Sequence, residues 1–222
     1  MKELTLIIPA KNESESLPDV LEELKKFDLK TKILLQKDDV LTINSIKNYN
    51  CEIIFQKSNG YGNALIQGIS QTNTKYFCIF NADGSFNPSE LNGMLNKIED
   101  SNLDFVFASR YQENSGSDDD TLITLIGNFI FTKLGNIFFN LPITDILYTF
   151  VIGKTEKAKS LDLSKSDFGF CVELPIKAKK NKMKIGTINS FERRRIAGKK
   201  KVNAFKDGFL ILIFMIKLFF KK

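Results

Sequence analysis

The chain has 222 residues, 43% of them hydrophobic and 26% charged, enough for one globular domain with a full core. It contains no histidine, which excludes serine–histidine–aspartate hydrolysis, imidazole acid–base catalysis and zinc-peptidase chemistry. The net charge of +6 hides a split: residues 1–175 carry 17 basic and 24 acidic side chains, whereas residues 176–222 carry 15 basic against Glu192 and Asp207 alone, so the basic end is suited to phosphates of nucleic acid or of lipid.

Leu4–Pro9 reads as a buried strand that begins almost at Met1, so no signal peptide is expected. The turn Pro9-Ala10-Lys11-Asn12-Glu13 follows, then a helix over Glu15–Phe27 with Leu17, Val20, Leu21 and Leu24 on one side. In that turn Asn12 or Ser14 can cap the helix, or Glu13 and the backbone amides can face a nucleoside. A strand over Lys32–Leu35 leads to Asp38-Asp39, a pair able to bond ribose hydroxyls or simply to form a solvated turn. A short helix near Thr42–Asn48 and a strand over Cys51–Phe55 precede Asn59-Gly60-Tyr61-Gly62-Asn63-Ala64, whose glycines permit close backbone approach to a ligand. A helix over Gly62–Gln71 and a strand over Tyr76–Phe80 come next. The strand ends in Asn81-Ala82-Asp83-Gly84-Ser85, an acidic turn that can hold a hard divalent ion against a diphosphate. A helix over Pro88–Glu99 and a strand over Phe105–Ala108 complete an alternation that implies an α/β fold with a mostly parallel sheet covered on both faces. Ligands of such sheets bind beyond the carboxyl ends of the strands, where these polar turns gather.

The pattern changes after the acidic loop Ser115–Asp120. Thr121–Asn140 is a long apolar helix with a polar stripe at Asn128, Lys133, Asn136 and Asn140. Residues 168–180 read as a helix, Lys184–Phe191 as a strand and Phe205–Phe220 as a last helix. Between the last two, Arg193–Lys201 holds six cations in nine residues, a phosphate-binding run in preference to a solvated loop. Cys51, Cys78 and Cys171 form no CxxC pair and read as buried thiols, so any metal must sit on oxygen ligands, which points to Mg2+ or Mn2+.

In order and spacing these segments resemble the family-2 inverting glycosyltransferases of GT-A type, and among them the dolichol- and polyprenol-phosphate mannosyl- and glucosyltransferases. Residues 9–13 resemble the P-x-Y-N-E turn, with Lys11 in place of tyrosine. Asp38-Asp39 matches an Asp-Asp pair, followed here by Val40-Leu41 instead of Gly-Ser. Residues 59–64 resemble N-x-G-x-G-x-A, and residues 81–85 stand where the family has D-A-D-G, with Asn81 replacing the first carboxylate. Ser109-Arg110-Tyr111, Thr144-Asp145, the Glu173–Ala178 helix and Arg195–Lys201 match S-R-Y, T-D, E-L-x-x-K-A and R-x-x-G-x-S-K, with Lys200 for serine. The family's S-G-F after T-D is Ile146-Leu147-Tyr148 here.

The resemblance, which spans about residues 3–216, implies a Rossmann-like GT-A domain over 1–203 and a membrane-associating helix over 204–222. It implies inverting transfer from a nucleotide-sugar donor, of GDP-mannose or UDP-glucose type, to a lipid-phosphate acceptor. Pro9, Lys11, Glu13, Asp38, Asp39, Asn81 and Ala82 would hold the donor nucleotide. Asn81, Asp83 and Ser85 would hold a divalent ion, and Arg110, Arg195 and Lys201 the phosphates. Asp83 and Asp145 are the catalytic candidates, Asp145 as base if the acceptor is a hydroxyl. The apolar run 209–220 spans about 18 Å as a helix, short of a ~30 Å hydrocarbon core. An interfacial helix at the cytoplasmic membrane face is therefore expected in preference to a core helix, with no spanning helix, and a chain ending at Asn203 is expected to stay soluble unless that helix belongs to the core. The alternatives are a nucleotidyltransferase, which lacks its Gly-rich loop after the first strand, and a degenerate, non-catalytic fold. A nucleic-acid module is disfavoured by the acidic body.

Overall fold

The computed structural model describes residues 1–198 and 201–221. Lys199 and Lys200 of the basic run, and Lys222 of the tail, lie outside the described residues. The order is β1 (Leu4–Pro9), α1 (Leu17–Leu24), β2 (Lys30–Leu35), α2 (Val40–Ile46), β3 (Glu52–Phe55), α3 (Tyr61–Ser70), β4 (Tyr76–Ile79), α4 (Glu90–Asp100) and β5 (Phe105–Ser109). It continues with β6 (Gly116–Ser117), α5 (Leu122–Phe139), β7 (Val151–Lys154), α6 (Thr155–Lys159), α7 (Phe170–Lys180), β8 (Ile185–Asn189), β9 (Phe191–Glu192) and α8 (Ala204–Phe220). The helix expected over Glu15–Phe27 is shorter and ends in a 3-10 turn at Lys25–Phe27.

Seven strands form the main sheet in the order β3-β2-β1-β4-β7-β5-β8. All pairs are parallel except those of β7, which runs antiparallel to both β4 and β5. The period-2 alternation of a strand divides β1 between two cores. Leu4, Leu6 and Ile8 pack with α1 and α4 on one face, whereas Ile7 packs with α3 and α7 on the other. β7 and α6 were not anticipated from the sequence, and the strand expected over Lys184–Phe191 breaks at Ser190. Its end, β9, leaves the sheet to pair with β6.

α5 keeps the expected limits. Thr121 and Thr124 form a capping box at its start, and Asn140 takes the left-handed conformation at its end. By length and composition alone Leu122–Phe139 is long and apolar enough to cross a membrane, a property weighed from the sequence only for the run 209–220. In the fold only part of that stripe turns inward, since Lys133 and Asn140 stay exposed: Asn128 Oδ1 accepts from Leu147 N at 3.1 Å, and beside it Thr132 Oγ1 accepts from Ile146 N at 3.1 Å. Asn136 Nδ2 donates to Leu141 O and Ile143 O at 2.7 and 2.8 Å. α8 is not a free appendage either. Ile211, Met215 and Leu218 are buried in the core shared with α3 and α7.

Candidate active site

β1, β2, β4 and β5 end along one edge of the sheet, and antiparallel β7 begins there. A cavity of about 470 Å³ opens at this edge. Pro9, Lys11 and Glu13 line it from the turn after β1, and Asn81, Ala82 and Asp83 from the turn after β4. Arg110, Asp119 and Asp120 form the opposite wall, with Tyr148 and Thr149 ahead of β7. Arg195 and Lys201 close it from the basic segment.

Local bonding fixes each part. Gly84 has φ +81°, which lets the chain turn sharply after Asp83. Asp83 Oδ1 accepts from Ser85 N at 3.0 Å and Ser85 Oγ at 2.7 Å, leaving Oδ2 for the cavity. Asn81 Nδ2 donates to Ser85 Oγ at 3.3 Å, so its amide oxygen is turned from that bond. The basic segment is tied to the same turn, because Arg193 N donates to Ser85 O and Ile196 N to Asp83 O, each at 2.8 Å. Arg195 then grips Asp119 through Nε (3.2 Å) and Nη2 (2.7 Å), while Nη1 stands 3.4 Å from Asp83 Oδ2. Burial opposes the Arg195 charge, but the Asp119 hydrogen bonds and the Asp83 and Asp119 carboxylates hold its pKa above the usual value. Lys201 Nζ donates to Glu13 Oε1, and Ser16 Oγ to Glu13 Oε2 at 2.8 Å. The two cations are thus held by carboxylates that a diphosphate could replace.

Arg110 is locked more firmly. Its Nε and Nη2 donate to Asp145 at 2.7 and 3.0 Å, and Nη1 donates to Glu192 at 2.9 Å. The guanidinium lies 4.4 Å from the Tyr148 ring centre. Burial disfavours its charge, yet Asp145 and Glu192 raise its pKa well above the ordinary value.

Several sequence expectations are corrected here. Asp145 is 1% exposed, and its oxygens serve Arg110 and Asn128, so it cannot reach a substrate as base. Ser85 is 1% exposed and spends its hydroxyl on Asp83, outside the cavity lining. Asp38 and Asp39 are not brought to the lining. Asp39 caps α2 by accepting from Thr42 N at 3.3 Å and ties Asn12 N at 2.7 Å, while Gln36 and Gln56 take that side. Gly60 and Gly62 admit a neighbouring chain segment, while Asn59, Gly60 and Tyr61 also line the cavity. A Cβ on Gly62 would stand 1.9 Å from Lys165 O, and Gly62 N donates to Ser166 O at 2.9 Å. Buried Glu173 shapes that segment by accepting from Ser164 N and Lys165 N.

Asp119, Tyr148 and the Tyr61–Phe168 stack (5.0 Å) were missed. Only the acidity of the 115–120 loop hinted at Asp119. For a divalent ion the turn after β4 offers one carboxylate oxygen, Asp83 Oδ2, which now faces Arg195, and one amide oxygen, on Asn81. Among the described residues no three carboxylates or cysteines gather as a metal cage. One carboxylate is nevertheless enough for an ion that arrives on phosphates, which is the usual way Mg2+ is held.

Residues 5–161 match the sequence profile described as Glycosyl transferase family 2. No curated protein matches the sequence. Among solved structures, glucosyl-3-phosphoglycerate synthase from Mycobacterium tuberculosis in complex with uridine diphosphate is similar with a TM-score of 0.75 and 13% identity, covering 97% of this chain and 79% of that one. The same enzyme with Mn2+, uridine diphosphate and glucosyl-3-phosphoglycerate gives a TM-score of 0.68 at 13% identity, covering 97% and 79%. Mannosyl-3-phosphoglycerate synthase from Rubrobacter xylanophilus gives 0.66 at 14% identity, covering 96% and 72%.

Proposed function

The chain belongs to glycosyl transferase family 2 and is a glycosyltransferase of GT-A fold; from that premise we propose that it moves a sugar from a nucleoside-diphosphate donor to a polyprenyl-phosphate or related lipid acceptor, with inversion. The observation that carries the donor half is the convergence of Glu13, Asp83, Arg195 and Lys201 on one cavity. Pro9, Lys11, Glu13 and Ala82 would seat the nucleoside end. Arg195 and Lys201 would exchange their present carboxylate partners for phosphate oxygens. Asp83 and the Asn81 amide oxygen would hold Mg2+ or Mn2+ on the diphosphate, where such an ion supplies positive charge to the departing phosphate.

The acceptor half is supported by chemistry and by surface. With Asp145 sealed against Arg110, a hydroxyl acceptor loses its candidate base. A phosphate monoester is substantially ionised at neutral pH, its second pKa being near 6, and needs none. Apolar side chains exposed on α5 and α8 favour a lipid over a small soluble acceptor. The Asp38 and Asp39 assignments are not carried forward, and Arg110 is assigned to shaping the acceptor wall through its carboxylate partners.

The test is transfer from UDP-glucose and from GDP-mannose to polyprenyl phosphate or to 3-phosphoglycerate, with Mn2+ or with EDTA. Product on the lipid phosphate, reduced by EDTA, is expected. Product on phosphoglycerate alone would overturn the lipid reading, and loss of nothing with EDTA would overturn the metal reading.

A further inference from the structure

α5 and α8 turn outward what helices of soluble proteins bury. Fifteen large apolar side chains on them are more than a third exposed, eight on α5 and seven on α8. The side chains that α5 buries are polar or absent: Asn128, Thr132 and Gly135. The helix is thus amphipathic in the reverse sense, clamped to the body by Asn128, Thr132 and Asn136 with its apolar face outward. The two helices lie side by side in the same direction, since Phe131 stands over Gly208, and Phe138 meets Phe219 at 5.5 Å. An apolar groove of about 220 Å³ runs between them. Exposed apolar patches on soluble monomers rarely exceed a few hundred Å², and larger ones mark a membrane or partner surface.

Charge chooses between those occupants. α5 carries one ionisable residue, Lys133, and it is exposed. Lys206, Lys217 and Lys221 flank the exposed face of α8, whose single acid, Asp207, accepts from Asn203 N at 2.6 Å. Cations bordering an apolar face complement an anionic leaflet. Spanning would require α5 to leave the bonds of Asn128, Thr132 and Asn136, and to take those amides into hydrocarbon. Lying flat keeps every one of them. The cavity wall includes Thr124 and Asn128 of α5 and Ile211 of α8, so the mouth of the active site stands at the edge of this surface.

We propose that the outer faces of α5 and α8 form one membrane-seating surface that inserts into the interfacial layer of an anionic leaflet, with α5 as the larger half. The purpose of this surface rests on the lipid-acceptor reading, but its existence does not, and the two are tested apart. Flotation of the full chain is measured with phosphatidylcholine vesicles, with and without phosphatidylglycerol, and with no acceptor lipid present. The wild type is expected to float, and more so with the anionic lipid. Phe129→Glu/Ile137→Glu changes two side chains that are 59% and 72% exposed and outside the cavity. It should cut vesicle partition at least tenfold with no change in thermal unfolding. Lys206→Gln/Lys217→Gln should remove only the part that depends on phosphatidylglycerol and on low salt. Flotation of the Phe129→Glu/Ile137→Glu protein equal to wild type overturns the role of α5. A wild type that ignores vesicles but sediments as a dimer that the same two changes dissociate overturns the membrane as occupant and assigns the face to a second copy. Failure of sugar transfer with vesicle binding intact would instead count against the proposed function alone.

Discussion

Ser85 decides how Asp83 is presented. By taking Oδ1 through its amide and hydroxyl, it fixes one carboxylate oxygen and leaves the other to face Arg195. Asp83→Ala should therefore abolish most transfer, by about a hundredfold or more as for the loss of one charge-stabilising group, while thermal unfolding is unchanged. Near-normal turnover in the folded variant would remove Asp83 from the chemistry. Asn81→Asp adds a second carboxylate at the same turn, and calorimetry should show tighter Mn2+ binding in the presence of the nucleoside diphosphate. The Arg110–Asp145 pair belongs to another category. Removing one partner of a buried pair strands the other, so Asp145→Ala should cost about 3–5 kcal/mol of stability. A variant that melts like wild type but has lost turnover would restore Asp145 as a base. Asp104 offers a titration test. Burial opposes its charge, but the Lys184 amide and Lys154 ammonium prevail and hold its pKa below the usual value. A depressed carboxylate contributes stability above its unfolded pKa and loses it as pH falls through the folded one. Asp104→Asn should thus cost about 1–3 kcal/mol at neutral pH, and the difference from wild type should vanish in denaturation curves taken well below pH 4.

At the scale of elements, a turn that looks functional in sequence also has a structural task. The Gly60–Gly62 turn carries the segment 165–167 against its backbone, and that segment is held by Glu173. Gly62→Ala has no room 1.9 Å from a carbonyl oxygen, so it should lower stability by several kcal/mol, with a lower midpoint in urea. Unchanged stability would show that the segment is free to move. α8 illustrates the opposite case. Its sequence reads as an appendage because Phe205, Phe209 and Phe220 break any clean apolar stripe, yet Ile211, Met215 and Leu218 complete the core. A chain ending at Asn203 should therefore aggregate or lose its cooperative unfolding, contrary to the expectation from hydropathy.

The whole molecule explains what could be read in advance. Strands β1 to β5 each carry a run of three or more apolar residues closed by a polar turn, so the parallel half and its binding edge were legible. β7 was not, because Val151–Lys154 has only four residues and follows a stretch without periodicity; it is recognised only by the two strands it joins. Asp83, Arg195 and Lys201, which line the cavity, could be singled out as candidates because the turn and the basic run are locally unusual. Asp119 and Tyr148 were not, because their value comes from facing those residues across the cavity. The same convergence yields a test on the intact protein. A nucleoside diphosphate that bridges the β1 turn, the β4 turn and the basic segment should stabilise the fold by about 2.7 kcal/mol at a hundred times its dissociation constant. A thermal-shift series with UDP, GDP, CDP and ADP should show one clear preference, and a flat response would mean that the cavity does not take a nucleotide.

The reversed strand β7 also dictates an order of assembly. β4 and β5 never pair with each other, and both wait for residues 151–154. A chain emerging from the ribosome therefore holds a four-stranded piece with an open edge and a separate β5, and must release apolar α5 before the joining strand exists. Open edges and uncovered apolar helices are the features that draw nascent chains into aggregates. A lipid surface or a chaperone near the exit tunnel would shelter α5 during that interval. Completion of the sheet then depends on threading one four-residue segment between two strands already made, a non-local step of the kind that makes folding slow.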